Sequence, residues 1–206
     1  ILLNNYYFMK VILKASFIGH LLIFISTFMN LTQFIQINRP LLLYIIYSTY
    51  LCDIFSCYKG IIPFYRCNNT RDIYTHHLGA LSILTMTIPS LFTANPSRNK
   101  LINRITDMAF VSSLNEAIMV YGTSYKMTKL LTTFELIYKV YLFSFHALMN
   151  AGNKIKLITV LESDDKLLYT FCLSGLSFYV ILYPKLLKGS ITKLYKLIHN
   201  GVHKSD

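Results

Sequence analysis

Residues 71–92 read RDIYTHHLGALSILTMTIPSLF and place two adjacent histidines near the start of a long apolar run. A helix of about 20 predominantly apolar residues crosses the hydrocarbon core of a bilayer. His76 and His77 would then lie at membrane depth, where an ionisable side chain costs roughly 2.5 kcal/mol or more unless it faces other helices or water. The stretch therefore predicts a membrane-spanning helix whose histidines face the interior of a helical bundle.

Similar apolar runs recur along the chain, which is 54% hydrophobic over 206 residues. This fraction exceeds the usual composition of soluble domains. Candidate spans occupy residues 11–31, 40–58, 71–92, 101–121, 130–150 and 167–187. The sequence predicts an all-α fold, a polytopic membrane bundle of about six transmembrane helices in a single domain over residues 1–206. Its basic tail, residues 188–206, mixes lysines with apolar residues at helical spacing and is expected to lie along the membrane surface.

The charge pattern indicates a membrane environment. Twenty lysines and arginines against nine acidic residues give a net charge of +11, and the basic residues lie between the apolar runs and in the tail. Long apolar spans leave no large soluble face for a duplex, so nucleic acid is excluded as a partner. With six spans, the loops on the side of the termini are the more basic, which places both termini in the cytoplasm or the mitochondrial matrix. The endoplasmic reticulum and the mitochondrial inner membrane are the expected locations.

Several ionisable side chains interrupt the other spans. His20, in the middle of the first span, is expected to be a hydrogen-bonded packing residue. Carboxylates at membrane depth have to face the bundle interior and find a donor or be protonated. We therefore expect an intramembrane polar cavity formed with the histidine pair by Asp53, Glu116, His146 and Arg71.

Two charged pairs at helical spacing are predicted to neutralise each other. Arg104 and Asp107 lie three residues apart, and Glu135 and Lys139 lie four apart, distances at which side chains on one helix face meet. Residues 151–166 are predicted to form a polar loop.

Three short segments occur in order along the predicted spans: residues 50–53 (YLCD), 71–77 (RDIYTHH) and 114–116 (LNE). They resemble motifs of the TLC-domain family, which includes the ceramide synthases, the Tram translocon proteins and lipid-homeostasis relatives, and the resemblance covers about residues 40–185. It implies a polytopic helical membrane protein with a lipid-related role, binding or sensing a lipid in the polar cavity. Ceramide synthases carry a further His-Asp and a second Asp after the histidine pair. Residues 105–116 (ITDMAFVSSLNE) contain no histidine and no second aspartate, which favours the other members of the family.

Two alternatives remain open at this point. The protein is an acyltransferase if His76 or His77 serves as general base or acyl acceptor for a fatty acyl thioester such as fatty acyl-CoA, with Asp53 or Glu116 orienting the imidazole. It is a structural membrane subunit of a larger complex, for instance a mitochondrial one, if the same groups only form a hydrogen-bonded network between helices and contact other membrane subunits.

Neither a metal nor another cofactor is expected. The six histidines include one adjacent pair, which cannot ligate two iron ions as the membrane di-iron hydroxylases do. The cysteines also lack zinc spacing. They are Cys52, Cys57, Cys67 and Cys172.

Overall fold

A computed structural model describes residues 2–58, 80–81, 84–85, 88, 95–125, 127–161 and 165–199. Its elements in chain order are α1 (Leu2–Thr32), α2 (Arg39–Tyr58), α3 (Pro96–Phe110), α4 (Ser113–Ser124), α5 (Lys129–Tyr141), a π-helical segment (Leu142–His146), α6 (Ala147–Ile158), α7 (Lys166–Ile181) and α8 (Tyr183–His199). No strand occurs in these described ranges, so the predicted all-α class is confirmed for them. Most of the predicted histidine helix, residues 71–92, lies outside them.

Two stretches are long and apolar enough to cross a membrane. They are Lys10–Thr32, within α1, and Lys166–His199, which comprises α7 and α8. The first agrees with a predicted span. The count of about six spans stays a prediction, because length and composition single out only these two stretches among the described residues.

The turn between α1 and α2 is fixed by asparagine side chains. The side-chain oxygen of Asn30 accepts the backbone N–H of Ile37 at 2.8 Å, and that of Asn38 accepts the N–H of Leu41 at 3.2 Å. Asparagine at such positions satisfies backbone donors that a helix leaves unpaired at its start. Helix α2 then begins at Arg39, with Pro40 in its first turn. The predicted break between the first two spans is thus confirmed.

Two predicted boundaries are wrong. The span expected over residues 101–121 divides into α3 and α4, and the Ser112 hydroxyl at the break donates to the Ala109 carbonyl at 2.9 Å. Serine can bond the preceding turn in this way and so competes with the backbone hydrogen bonds of a helix. Residues 151–158, expected in a loop, belong to α6, because Lys154 and Leu157 are on its buried face.

One predicted ion pair is confirmed and one is replaced. Lys139 binds Glu135 on α5 as expected. Asp107, however, pairs with Arg39 of α2 and not with its neighbour Arg104. Asp107 is buried whereas Arg104 is exposed, so the carboxylate takes its partner from the packed side of α3.

The chain forms two compact units. Unit 1 comprises Ile1–Ala94 and Thr106–Lys126, and unit 2 comprises Asn95–Ile105 and Met127–Asp206. Within unit 1, α1 packs against both α2 and α4. Its apolar core contains Ile23, Leu42, Ile46, Tyr50 and Phe110. The single domain over residues 1–206 stays a prediction.

Unit 2 has its own core. Helix α6 packs against α7, while α8 packs against α5 and the π-helical segment. The buried cluster consists of Ile102, Ile105, Leu157, Leu168 and Cys172. It is therefore built from α3, α6 and α7.

A buried lysine connects α6 and α7 within unit 2. The Nζ atom of Lys154 lies 5.3 Å from the centre of the Phe171 ring and 4.7 Å from that of Tyr179. Phe171, Gly175 and Tyr179 follow one another at four-residue spacing along a face of α7, and the ammonium group occupies the space above Gly175. Burial lowers the pKa of Lys154 to about 8. The two ring faces offset part of the cost of burying its charge.

Candidate functional site

The candidate site lies in unit 1, where α1 and α2 approach each other closely at Gly19. A Cβ atom at this position would lie 2.5 Å from Oγ1 and 2.8 Å from Cγ2 of Thr49, so the contact requires a residue without a side chain. The next residue on each helix is His20 on α1 and Tyr50 on α2. The glycine contact therefore places an imidazole beside a phenol in the core of the unit.

His20 lies between two carboxylates. Its Nε2 atom is 2.7 Å from Oδ2 of Asp53 on α2, and its Nδ1 atom is 3.1 Å from Oε2 of Glu116 on α4. The exposed fraction of His20 is 0%, that of Asp53 is 1% and that of Glu116 is 3%. Three helices thus contribute one ionisable side chain each to a buried polar centre.

Tyr50 completes the centre. Its hydroxyl donates to Oε1 of Glu116 at 3.0 Å, and its ring meets the His20 ring edge-on, with 5.4 Å between the centroids. On its other side the Tyr50 ring packs edge-on against Phe110, with 5.7 Å between the centroids. We define the polar centre as His20, Tyr50, Asp53 and Glu116.

The proton arrangement of the polar centre follows from the chemistry of imidazole. A neutral imidazole has one N–H donor and one acceptor nitrogen, so it donates to only one of the two carboxylates. An imidazolium has an N–H near each of the two carboxylates, and its positive charge balances one of their two negative charges. Buried charges are tolerated only when they are paired and hydrogen-bonded. The centre can therefore hold, share and transfer protons, and it presents carboxylate oxygens to a polar group.

The structure brings together two of the predicted site residues, Asp53 and Glu116, around His20. His20, expected to be a hydrogen-bonded packing residue, is fully buried and within hydrogen-bonding distance of Asp53, at the middle of the polar centre. His146 belongs to unit 2, where it ends the π-helical segment, is buried, and has its ring 5.7 Å from that of Tyr141. His76, His77 and Arg71 lie outside the described residues, so their predicted roles stay predictions.

Within the described ranges, no group of three or more His, Cys, Asp or Glu side chains is arranged to hold a metal ion. The hydrogen bonds of Asp53 with His20 and of Tyr50 with Glu116 indicate that the polar centre consists of hydrogen-bonding and proton-holding groups.

Comparison with known proteins gives this chain no relative. No family model matches it, and no curated protein or solved structure does so either. The features of the described residues that bear on function are the polar centre and the exposed apolar surfaces.

Proposed function

We propose that the chain is a multi-pass membrane protein that binds or senses a lipid at its polar centre. The observation that carries the proposal is the His20 imidazole held between Asp53 and Glu116 inside an apolar helical unit. An ionisable group at membrane depth is costly and, where it occurs, commonly serves function. An all-apolar core would often be at least as stable as a buried ionic network, so stability alone does not account for this one.

A lipid suits such a site because it has one polar and one apolar end. The polar centre offers carboxylate oxygens and a phenol, and the apolar side chains of Ile23, Leu42 and Ile46 lie in the same core. The polar end of the lipid would hydrogen-bond to the centre, and its chain would pack among the apolar side chains. The resemblance to the TLC-domain family is part of this proposal, and so is the predicted contribution of His76 and His77 to the same polar cavity.

The outer surfaces of both units support a membrane location. Large apolar side chains are exposed on each of them, as expected where lipid tails replace water. Examples are Val11 and Tyr44 in unit 1 and Leu130, Leu148 and Val180 in unit 2. In a bundle of about six spans in the endoplasmic reticulum or the mitochondrial inner membrane, lipid or other membrane subunits would cover these surfaces.

A structural role is the second candidate. It is favoured by the direct contacts among the side chains of the polar centre, since a hydrogen-bonded network between helices fixes their register without a ligand. An acyltransferase acting on a fatty acyl thioester is the third, because a carboxylate beside an imidazole orients a catalytic base. Its candidate catalytic groups remain His76 and His77.

Lipid retention separates these functions. The full chain is purified in mild detergent, and its bound lipids are identified by native mass spectrometry. Glu116→Gln removes a carboxylate from the polar centre while keeping side-chain volume, and Glu135→Gln makes the same change at the half-buried pair on α5. Lipid binding predicts a retained lipid that is lost in Glu116→Gln and kept in Glu135→Gln. Loss of thermal stability in Glu116→Gln with unchanged bound lipid would contradict it and favour the structural role.

A further inference from the structure

Helix α8 carries positive charge without any acidic residue. Its sequence, YPKLLKGSITKLYKLIH, contains Lys185, Lys188, Lys193, Lys196 and a terminal histidine, His199. Juxtamembrane segments with this composition are attracted to the anionic headgroups of a bilayer. The structure adds which face of the helix is free for that interaction.

One face of α8 is packed against unit 2. Its less exposed positions recur every three or four residues and contact α5, the π-helical segment and α7. They are Tyr183, Leu187, Ser190, Leu194 and Leu197. This face is therefore occupied by the protein itself.

The opposite face is basic. With about 3.6 residues per turn, Lys185, Lys188 and Lys196 project away from the buried Ser190, and all three are exposed. These lysines define the basic stripe of α8. Lys185 and Lys188 are about one turn apart and Lys196 follows about two turns later, so together they can contact several phosphate groups along the helix.

An apolar edge runs along one side of the basic stripe. It consists of Ile191, Tyr195 and Ile198, whose exposed fractions are 49%, 63% and 49%. A helix that lies in the membrane interface combines these two features, because its apolar side chains enter the headgroup–acyl boundary while its lysines reach the phosphates. A nucleic-acid duplex would match the lysines but leave the apolar edge without a partner.

We propose that the outer face of α8 binds the surface of a bilayer containing anionic phospholipids. The basic stripe contacts the lipid phosphates, and the apolar edge is immersed beside them. The charge of the stripe is complementary to an anionic leaflet. This surface belongs to unit 2 and is independent of the lipid proposed for the polar centre in unit 1.

Fluorescence quenching tests the proposal directly, because the chain contains no tryptophan. Tyr195→Trp places a single reporter on the exposed apolar edge. The full-length variant is reconstituted into nanodiscs of phosphatidylcholine and phosphatidylglycerol, with bromine on the acyl chains of one lipid or the other at equal mole fraction. We expect brominated phosphatidylglycerol to quench at least about twofold more strongly, because lysines near a membrane surface attract anionic lipids.

Two charge variants complete the experiment. Replacing Lys185, Lys188 and Lys196 with glutamine should abolish the preference for phosphatidylglycerol. Replacing three other exposed lysines, Lys100, Lys156 and Lys166, changes the net charge equally and should leave the preference intact. Native mass spectrometry of the unmodified protein, which should retain more phosphatidylglycerol than phosphatidylcholine, gives a second measurement that does not depend on the tryptophan.

Three results would overturn the proposal. Equal quenching by both brominated lipids would show apolar immersion without recognition of charge, as for a helix that crosses the bilayer together with α7. Absence of quenching by either lipid would show that this face is not at the membrane. Binding of a duplex oligonucleotide that depends on the basic stripe, with no lipid preference, would assign the face to nucleic acid.

Discussion

The Nε2 atom of His20 lies 2.7 Å from Oδ2 of Asp53, and both residues are buried at the contact between α1 and α2. With Glu116 on the other side of the ring, this pair forms the buried polar centre of unit 1.

Removing the His20 imidazole alone should lower the free energy of unfolding more than replacing His20, Asp53 and Glu116 together. His20→Leu leaves two buried carboxylates without their shared partner, and we expect a loss of roughly 3 kcal/mol in the free energy of unfolding. A triple variant with leucine at positions 20, 53 and 116 should recover most of this loss, because no ionisable pair then remains around position 20. Denaturant unfolding in detergent micelles measures both values.

The exposed His199 provides the matched control for that experiment. His199→Leu should change stability by less than about 0.5 kcal/mol. A triple variant less stable than His20→Leu would show that the three groups are not coupled as described.

The glycine contact beside the polar centre gives the second prediction. Gly19→Ala forces a methyl group against the Thr49 side chain, and overpacking of this kind costs about 1–3 kcal/mol. Gly152→Ala on α6 is the matched control, because a Cβ atom there meets nothing within 4 Å. Thermal unfolding should show destabilisation at position 19 and a neutral or stabilising effect at position 152, where alanine favours the helix. Equal effects at both positions would count against a tight α1–α2 contact.

The third prediction is a pH dependence that originates in Lys154. Its pKa is lowered from the ordinary 10.5 to about 8, so between these values the unfolded chain holds a proton that the folded chain has released. Stability therefore rises as the pH increases through this window, and the cost of burying the ammonium is fully present below it. The gain in stability attributable to Lys154 over this window is on the order of 3 kcal/mol.

Comparing the protein with Lys154→Met isolates this contribution. The stability difference between the two should shrink from pH 7 to pH 10.5 as the lysine becomes neutral in the folded protein, with the methionine variant the more stable at pH 7. Lys156→Met, at an exposed position, controls for the loss of charge. A difference that stays constant with pH would contradict a lowered pKa at Lys154.

The fourth prediction concerns the partner of Asp107. Asp107→Asn removes the negative charge that faces the largely buried Arg39, and we expect a loss of about 2 kcal/mol in stability. Arg104→Gln removes the partner expected from helical spacing and should have less than about 0.5 kcal/mol of effect. If Arg104→Gln were the more destabilising variant, the pairing of Asp107 with Arg39 would be wrong.

The sequence predicted the positions of the helices better than the side-chain contacts between them. Apolar runs and helix breakers such as Asn38 and Pro40 locate α1 and α2, because these signals act within a few residues. The predicted pairing of Asp107 with Arg104 was wrong because helical spacing identifies only neighbours on the same helix. It does not show that Arg39 on another helix lies closer to the carboxylate.

The contact of His20 with Asp53 could have been predicted from the sequence. It lies 12 residues before the end of α1, and Asp53 lies 14 residues after the start of α2. Two helices joined by a short turn place such residues at similar depth, so the carboxylate that needed a donor had one in the preceding helix. The contact of Glu116 with the same ring depends on the packing of α1 against α4, which no local pattern encodes.

The central claim, a lipid bound at the polar centre, is tested most directly by photo-crosslinking in native membranes. Cells are fed a fatty acid that carries a diazirine and an alkyne, the membranes are irradiated, and the modified peptides of the purified chain are mapped by mass spectrometry. A lipid bound at the polar centre should give crosslinks on core-facing residues of α1, α2 and α4 around His20, strongly reduced in Glu116→Gln and unchanged in Glu135→Gln. Crosslinks confined to the outer apolar surfaces, equal in all three proteins, would contradict it.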